Sequence, residues 1–141
     1  MDKTSKYTNG LVSNFEGLLD VIYELESSKG QNKKAYKPNS VGALGGYQIT
    51  PLTFTDLQQA LPSVWGKVPF GAVLKDDVGR RAASDILSLK LQRLNRLGIM
   101  PSEDNLLLAY HSGEGNVAKG TIGPIGKRYV ERGLKLLGKK A

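Results

Sequence analysis

The sequence has no cysteine and a single histidine, His111. The lack of cysteine excludes disulfides and thiolate chemistry, and one histidine cannot build a multi-histidine metal site. No apolar run approaches the ~20 residues that span a bilayer, and no apolar segment near the N-terminus is typical of a secretory signal. The sequence therefore implies no metal and no organic cofactor, and its chemistry must use carboxylates, amides and hydroxyls.

The length and composition are those of a globular protein with a basic surface. The 141 residues are 40% hydrophobic and 23% charged, which predicts a single domain over residues 1–141. Twenty Lys and Arg against thirteen Asp and Glu give a net charge of +7. This charge favours a polyanionic partner, and the three candidates are nucleic acid, an acidic lipid surface and a wall polymer with carboxylates. The basic residues are dispersed, so we do not expect nucleic acid as the primary ligand.

An amphipathic pattern near the N-terminus places one carboxylate beside the predicted core. Apolar residues at three- and four-residue steps from Leu11 predict a helix over about residues 11 to 27. Glu26 lies four residues beyond Ile22, near the apolar face and at the C-terminal end of this helix. A carboxylate there opposes the helix dipole and is close to the core. Both effects are expected to raise the pKa of Glu26.

Later patterns predict further helices and one compact turn. Gly42, Gly45 and Gly46 indicate a tight turn where backbone approaches a ligand or another chain segment, with a short hairpin ending at Ile49. Four further helices are predicted. The first follows Pro51, with Thr53 as its N-cap and Phe54, Leu57 and Leu61 inside, and the second runs from Asp76 or Asp77 to Gly98, with buried residues Val78, Ala82, Ile86, Leu89, Leu94 and Leu97. The third runs from Ser102 to Gly113 and Gly115, and the fourth from about Lys127 to Leu137.

Three blocks and a late tyrosine carry a resemblance to a known family. Glu26-Ser27, Gly45-Gly46-Tyr47-Gln48-Ile49 and Ala109-Tyr110-His111 occur in this order, and Tyr129 follows. Together they resemble the lytic transglycosylase domain of glycoside hydrolase family 23, which is related in fold to goose-type lysozyme. The similarity spans roughly residues 11 to 135. It implies a mainly α, lysozyme-like α+β fold, with helices bundled around a core helix that ends at the catalytic Glu and a small hairpin lining the cleft.

The resemblance also implies a role for each matched residue. Glu26 is the catalytic residue, because cleaving a glycoside needs an acid that protonates the leaving oxygen. The amide of Gln48 suits an N-acetyl group, and tyrosine rings offer apolar platforms for sugars. His111 stands where the family usually has Asn, and Gly46-Tyr47 replaces an apolar pair. The implied substrate-binding residues are Ser27, Gly45, Gly46, Tyr47, Gln48, Ile49, Tyr110, His111 and Tyr129.

The reaction implied is a non-hydrolytic cleavage of peptidoglycan. No Asp or Glu lies between Glu26 and Asp56, and goose-type lysozymes carry aspartates in that interval. Their absence favours a transglycosylase, in which Glu26 acts first as acid and then as base and leaves a 1,6-anhydro sugar. The alternatives are a hydrolytic muramidase, with Asp56 or Glu114 as the second carboxylate, and a non-catalytic protein that binds the wall or builds a virion.

The expected partner is the peptidoglycan glycan strand, and the expected site of action is the periplasm or cell wall. We expect a monomer, which can also belong to a virion or a secretion machinery. With no signal peptide in this chain, delivery by a phage or removal of a leader is expected.

Overall fold

The structure, a computed structural model, describes residues 7–8, 11–12 and 15–138 and is mainly helical, as predicted. Short strands β1 (Tyr7–Thr8) and β2 (Leu11–Val12) precede the helices, and two 3-10 helices span Lys33–Tyr36 and Phe70–Leu74. The α-helices of the described residues are α1 (Glu16–Ser27), α2 (Pro51–Ala60), α3 (Pro62–Trp65), α4 (Asp76–Arg96), α5 (Glu103–Ser112), α6 (Glu114–Lys119) and α7 (Pro124–Leu136).

The first predicted helix starts later than its apolar pattern indicated. Strands β1 and β2 pair antiparallel, with Tyr7 opposite Val12 and Thr8 opposite Leu11. The prediction of helix at positions 11 and 12 was wrong because a strand ladder satisfies their backbone groups. Positions 13 and 14 of the predicted helix lie outside the described residues. From Glu16 to Ser27 the prediction is confirmed, with the acidic Glu16 in the first turn, where the helix dipole favours it.

The chain divides into two compact units. The central unit is Ile22–Ile86, and the terminal unit combines the described residues up to Val21 with those from Leu87 onward. The division falls within α1 and α4. A single domain over residues 1–141 stays a prediction.

In the central unit, α2 is capped one residue before its proline. The Thr50 hydroxyl accepts a hydrogen bond from the Thr53 amide at 3.2 Å, and Pro51 occupies the first helical turn. The N-cap is therefore Thr50, and the prediction of Thr53 was wrong. A proline at the first helical position leaves the preceding Thr as the capping residue. Phe54 and Leu57 are buried as predicted, whereas Leu61 is only half-buried, so its place inside was wrong. The rings of Phe54 and Trp65 meet edge to face, with centroids 5.9 Å apart.

Helix α4 is the longest helix of the described residues, as predicted, but its buried stripe differs from the predicted one. The buried apolar side chains are those of Ala82, Ala83, Ile86, Leu87, Leu91 and Leu94. Val78 and Leu89 are half-buried and Leu97 is 51% exposed, so their assignment to the core was wrong. Steps of four and three residues connect Leu87, Leu91 and Leu94 on one helix face. Leu89 is two residues from Leu87 and Leu91 and therefore lies off that face.

The terminal unit packs α5 against α6 and α7. Ser102 caps α5 as predicted, since its hydroxyl accepts a hydrogen bond from the Asn105 amide at 3.4 Å. Gly113 ends α5 with a φ of 86°. Gly115 was predicted to end the same helix, and it instead lies inside α6. Helix α7 begins at Pro124 instead of Lys127, because proline fits the first turn, where its missing N–H leaves no bond unmade.

Candidate active site

Glu26 lies in the last turn of α1 and is half-buried. The chain reverses directly after this helix through three left-handed residues, with φ values of 51° at Ser28, 58° at Lys29 and 80° at Gly30. Left-handed backbone is unfavourable for the first two residues by about 1–2 kcal/mol each. The surrounding structure must therefore stabilise this turn, which we call the Glu26 turn (residues 27–30).

The buried side chain of Ser27 stabilises the Glu26 turn through hydrogen bonds to the backbone. Its hydroxyl donates a hydrogen bond to the Tyr23 carbonyl oxygen at 2.9 Å and accepts one from the Gly30 amide at 3.0 Å. The residue is only 1% exposed. Ser27 thus ends the helix and holds the backbone on either side of Glu26. A direct contact between Ser27 and a sugar would require this buried hydroxyl to become accessible.

The predicted hairpin forms, and its first glycine is packed against another chain segment. Leu44 and Ile49 exchange two backbone hydrogen bonds at 3.0 and 3.1 Å. Gly45 has a φ of 87°, and a Cβ atom there would lie 2.5 Å from the carbonyl oxygen of Val73. Its amide also donates to the Ala35 carbonyl oxygen at 2.7 Å. Of the two alternatives for Gly45, the structure therefore shows close approach to the protein's own backbone.

The side-chain amide of Gln48 connects the hairpin to the loop before it. Its Nε2 donates to the carbonyl oxygens of Ala35 at 2.9 Å and Gly45 at 3.0 Å, and its Oε1 accepts from Asn39 Nδ2 at 3.4 Å. Gln48 itself is left-handed, with a φ of 49°. Both ends of the amide are engaged within the protein, so recognition of an N-acetyl group by Gln48 would require some of these bonds to open.

Two other hairpin residues, Gly46 and Tyr47, pack on Tyr23 of α1, one turn before Glu26. The rings of Tyr47 and Tyr23 stack with centroids 5.0 Å apart, and Arg80 donates to the Tyr47 hydroxyl at 3.2 Å. A Cβ atom at Gly46 would lie 2.5 Å from Cε1 of Tyr23. The hairpin block therefore packs on α1, the helix that carries the Glu26-Ser27 block. Since Tyr47 is only 3% exposed, contact with a sugar would require its stack to open. Ile49 is likewise buried.

A cluster of two tyrosines and one aspartate lies beside these residues, and the sequence patterns did not indicate it. The hydroxyls of Tyr23 and Tyr36 each donate to Asp76, at 2.7 Å to Oδ2 and Oδ1 respectively. The hydrogen bond to Asp76 and partial burial raise the pKa of Tyr23. Burial and the same carboxylate raise the pKa of Tyr36 far above its usual range. Asp76 was predicted only as one possible start of α4, because positions 23, 36 and 76 share no local spacing.

The third sequence block lies in the terminal unit, at the end of α5. The His111 ring meets the Tyr129 ring of α7 with centroids 4.6 Å apart and an interplanar angle of 40°. His111 Nδ1 lies 2.9 Å from the Ser112 hydroxyl, and burial of part of the ring lowers the pKa of His111. Tyr129 is 8% exposed and Tyr110 is half-buried. The structure therefore joins His111 and Tyr129, and His111 keeps an exposed surface.

Glu114, one candidate for the second carboxylate of a hydrolase, forms ion pairs in the terminal unit. Its two oxygens lie 2.7 Å from Lys90 Nζ and 3.3 Å from Arg93 Nη1. Burial alone would raise the pKa of Glu114, but hydrogen bonding by Lys90 and the two positive charges outweigh it and lower the pKa. A carboxylate with a lowered pKa is a weaker base. The other candidate, Asp56, is half-buried on α2.

No protein family, characterised protein or solved structure matches this chain. The resemblance to glycoside hydrolase family 23 therefore rests on the quoted residues and their order.

Among residues 7–8, 11–12 and 15–138, no group of three or more Asp, Glu or His side chains could hold a metal ion together. Within the same part of the chain, no helix has the length and apolar character to cross a membrane.

Proposed function

We propose that this protein is a peptidoglycan lytic transglycosylase that uses Glu26 as its single acid and base. It would cleave the β-1,4 bond between N-acetylmuramic acid and N-acetylglucosamine and leave 1,6-anhydromuramic acid ends. The observation that supports this best is the position of Glu26. It is half-buried in the last turn of α1, and the glycine-rich hairpin packs on the same helix through Tyr23, one turn earlier.

The proposed reaction needs one carboxyl group in two protonation states. Glu26 donates its proton to the glycosidic oxygen while the bond from that oxygen to C1 of the muramic acid breaks, and the N-acetylglucosamine side leaves as an alcohol. The neighbouring N-acetyl oxygen can stabilise C1 in place of a second carboxylate. The Glu26 carboxylate then removes the proton from the C6 hydroxyl, whose oxygen bonds to C1. Protons balance, and no water is consumed.

Such a reaction depends on a carboxyl group held in one place. Misplacement of a reacting group by about 1 Å lowers a rate by about a hundredfold. The Ser27 hydroxyl bonds to backbone on both sides of Glu26 and is buried, which restricts the helix end. In the hairpin, Gln48 bonds to Ala35 and Gly45 and fixes the loop that follows the Glu26 turn. Both features support a preorganised site around Glu26.

The proposed substrate is an acidic wall polymer, and the protein's charge complements it. A net charge of +7 favours approach to peptidoglycan that carries carboxylates. In the terminal unit, the exposed His111, whose ring meets the buried ring of Tyr129, is a proposed sugar contact. The proposed place of action is the periplasm or cell wall, where the protein acts as a monomer or within a virion or secretion machinery.

Release of soluble fragments from purified sacculi by Glu26→Gln tests the proposal. Removing a general acid and base is expected to lower the rate by at least about a hundredfold. Glu24→Gln is the matched control, because Glu24 lies on the same helix and its carboxylate pairs at 3.5 Å with the exposed Lys29. The control should retain the activity of the unmodified protein. Equal activity of the two variants, or no release by the unmodified protein, would contradict the proposal.

A further inference from the structure

Asp76 accepts hydrogen bonds from two tyrosines that belong to different chain segments. Tyr23 belongs to α1, and Tyr36 ends the 3-10 helix that follows the Glu26 turn. Both hydroxyl-to-carboxylate distances are 2.7 Å. Hydrogen bonds to an ionised acceptor are short and about twice as strong as neutral ones. Asp76 itself begins α4, so one carboxylate joins three segments of the central unit.

Two glycines bring further backbone against the same tyrosines. At Gly30, in the Glu26 turn, an added Cβ would lie 2.6 Å from the Tyr23 hydroxyl and 3.0 Å from that of Tyr36. At Gly46, in the hairpin, an added Cβ would lie 2.5 Å from Tyr23 and 3.0 Å from Asp76 Oδ1. Neither position has room for a side chain unless a neighbour shifts. The turn after Glu26 and the hairpin therefore both take their positions from the Tyr23, Tyr36 and Asp76 cluster.

We propose that Asp76 is a positioning residue for the reaction of Glu26. Through Tyr23 and Tyr36 it holds the Glu26 turn against the hairpin, and both of its carboxylate oxygens are engaged in that contact. This inference rests on the proposed function, since positioning matters to catalysis only if Glu26 is the catalytic group. The cluster itself can be tested without any assay of activity.

Asp77 offers a matched control for Asp76. It is the next residue of α4, is also exposed, and its Oδ1 accepts a hydrogen bond from the adjacent Val78 amide at 2.9 Å. Asp76→Asn and Asp77→Asn therefore make the same change of charge and size at neighbouring positions. Tyr36→Phe is a milder second variant, because it removes one of the two hydroxyl bonds and keeps the ring.

Turnover and binding should respond differently to Asp76→Asn. We expect turnover on sacculi, per folded molecule, to fall about tenfold to a hundredfold, because the reacting group is less well placed. Tyr36→Phe should lower it in the same direction, and Asp77→Asn should not. Binding to sacculi, measured in a Glu26→Gln background, should stay unchanged. Unchanged turnover in Asp76→Asn and Tyr36→Phe, or equal losses of binding and turnover, would overturn the positioning role.

Tyrosine ionisation tests the cluster even if the protein releases no fragments. Phenolate absorbance during an alkaline titration follows all six tyrosines of the chain. The Asp76 carboxylate contributes to the raised pKa of both Tyr23 and Tyr36. Asp76→Asn should therefore shift two tyrosines to ionisation at lower pH, and Asp77→Asn should shift none. An unchanged titration would refute the cluster. If Asp76→Asn shifts the titration but the unmodified protein releases no fragments, the proposed function is refuted and the cluster is supported.

Discussion

Replacing Gly45 by Ala tests whether this glycine serves the protein's own packing. The residue has a φ of 87°, and a Cβ atom would lie 2.5 Å from the Val73 carbonyl oxygen. The left-handed backbone is unfavourable for Ala by about 1–2 kcal/mol, of which the reduced freedom of the unfolded chain returns about 0.5 kcal/mol. The contact with Val73 adds about 1–3 kcal/mol, since a backbone carbonyl cannot rotate aside like a flexible side chain. The expected loss of unfolding free energy is about 1.5–4.5 kcal/mol.

Two other glycines of the central unit provide controls. Gly42 has a similar φ of 78°, but its added Cβ would meet the Pro51 ring at 3.0 Å, where a small shift suffices. Gly42→Ala should therefore lose about 1 kcal/mol, which is mostly backbone strain. Gly71 has no heavy atom within 4 Å of an added Cβ, and its φ is outside the left-handed region. Gly71→Ala should change stability by less than about 0.5 kcal/mol.

Urea unfolding followed by Trp65 fluorescence measures these differences. Trp65 is the only tryptophan of the chain, is 2% exposed and lies in the same unit as the three glycines. The urea concentration at the unfolding midpoint should be highest for Gly71→Ala, lower for Gly42→Ala and lowest for Gly45→Ala. The dependence of the unfolding free energy on urea should be similar in the three variants. If Gly45→Ala and Gly42→Ala were equally stable, the close contact with Val73 would not determine the choice of glycine at position 45.

Three further predictions follow from strain and charge. Lys29→Gly should raise the unfolding free energy by about 0.5–1 kcal/mol by relieving left-handed strain in the Glu26 turn, and Lys29→Ala, which keeps the strain, should not. Glu114→Gln should lose about 1–2 kcal/mol at pH 7. Because the folded pKa of Glu114 is lowered, its stabilisation is present above its ordinary value of 4.5 and is lost as the pH falls through the folded pKa, so urea midpoints of the two proteins should converge in acid. His111, the single histidine, should titrate below 6.5 by NMR, and stability should fall as the pH drops below 6.5, because the unfolded chain binds this proton more readily. Equal stability of the two Lys29 variants, a pH-independent effect of Glu114→Gln, or a His111 midpoint at 6.5 or above would each contradict the corresponding prediction.

Local patterns predicted most helices because local forces determine them. Periodic apolar residues located α4, and Ser102 was recognised as the N-cap of α5. The cap of α2 was misplaced because Thr50 and Thr53 are both plausible capping residues, and the proline between them decides for Thr50. The strand at Leu11 was missed because its pairing with Thr8 competes with a helical apolar pattern.

The candidate site was only partly predictable, for a different reason. The glycine-rich hairpin was recognised from composition. The sequence could not predict that Gly45 packs against the backbone of Val73, because the two residues are distant in sequence. The bonds from Tyr23 and Tyr36 to Asp76 join positions 53 and 40 residues apart. No periodicity relates such positions, so only the folded chain reveals them. The packing of Tyr47 on Tyr23 is a further contact of this kind.

Mass spectrometry of the glycan ends released from purified sacculi tests the central claim most directly. A transglycosylase that uses Glu26 as its only acid and base should release fragments ending in 1,6-anhydromuramic acid, and Glu26→Gln should release none. Fragments with reducing ends, heavier by one water, would show that water attacks C1 and would contradict the non-hydrolytic mechanism. Anhydro ends released equally by Glu26→Gln would remove Glu26 from the reaction.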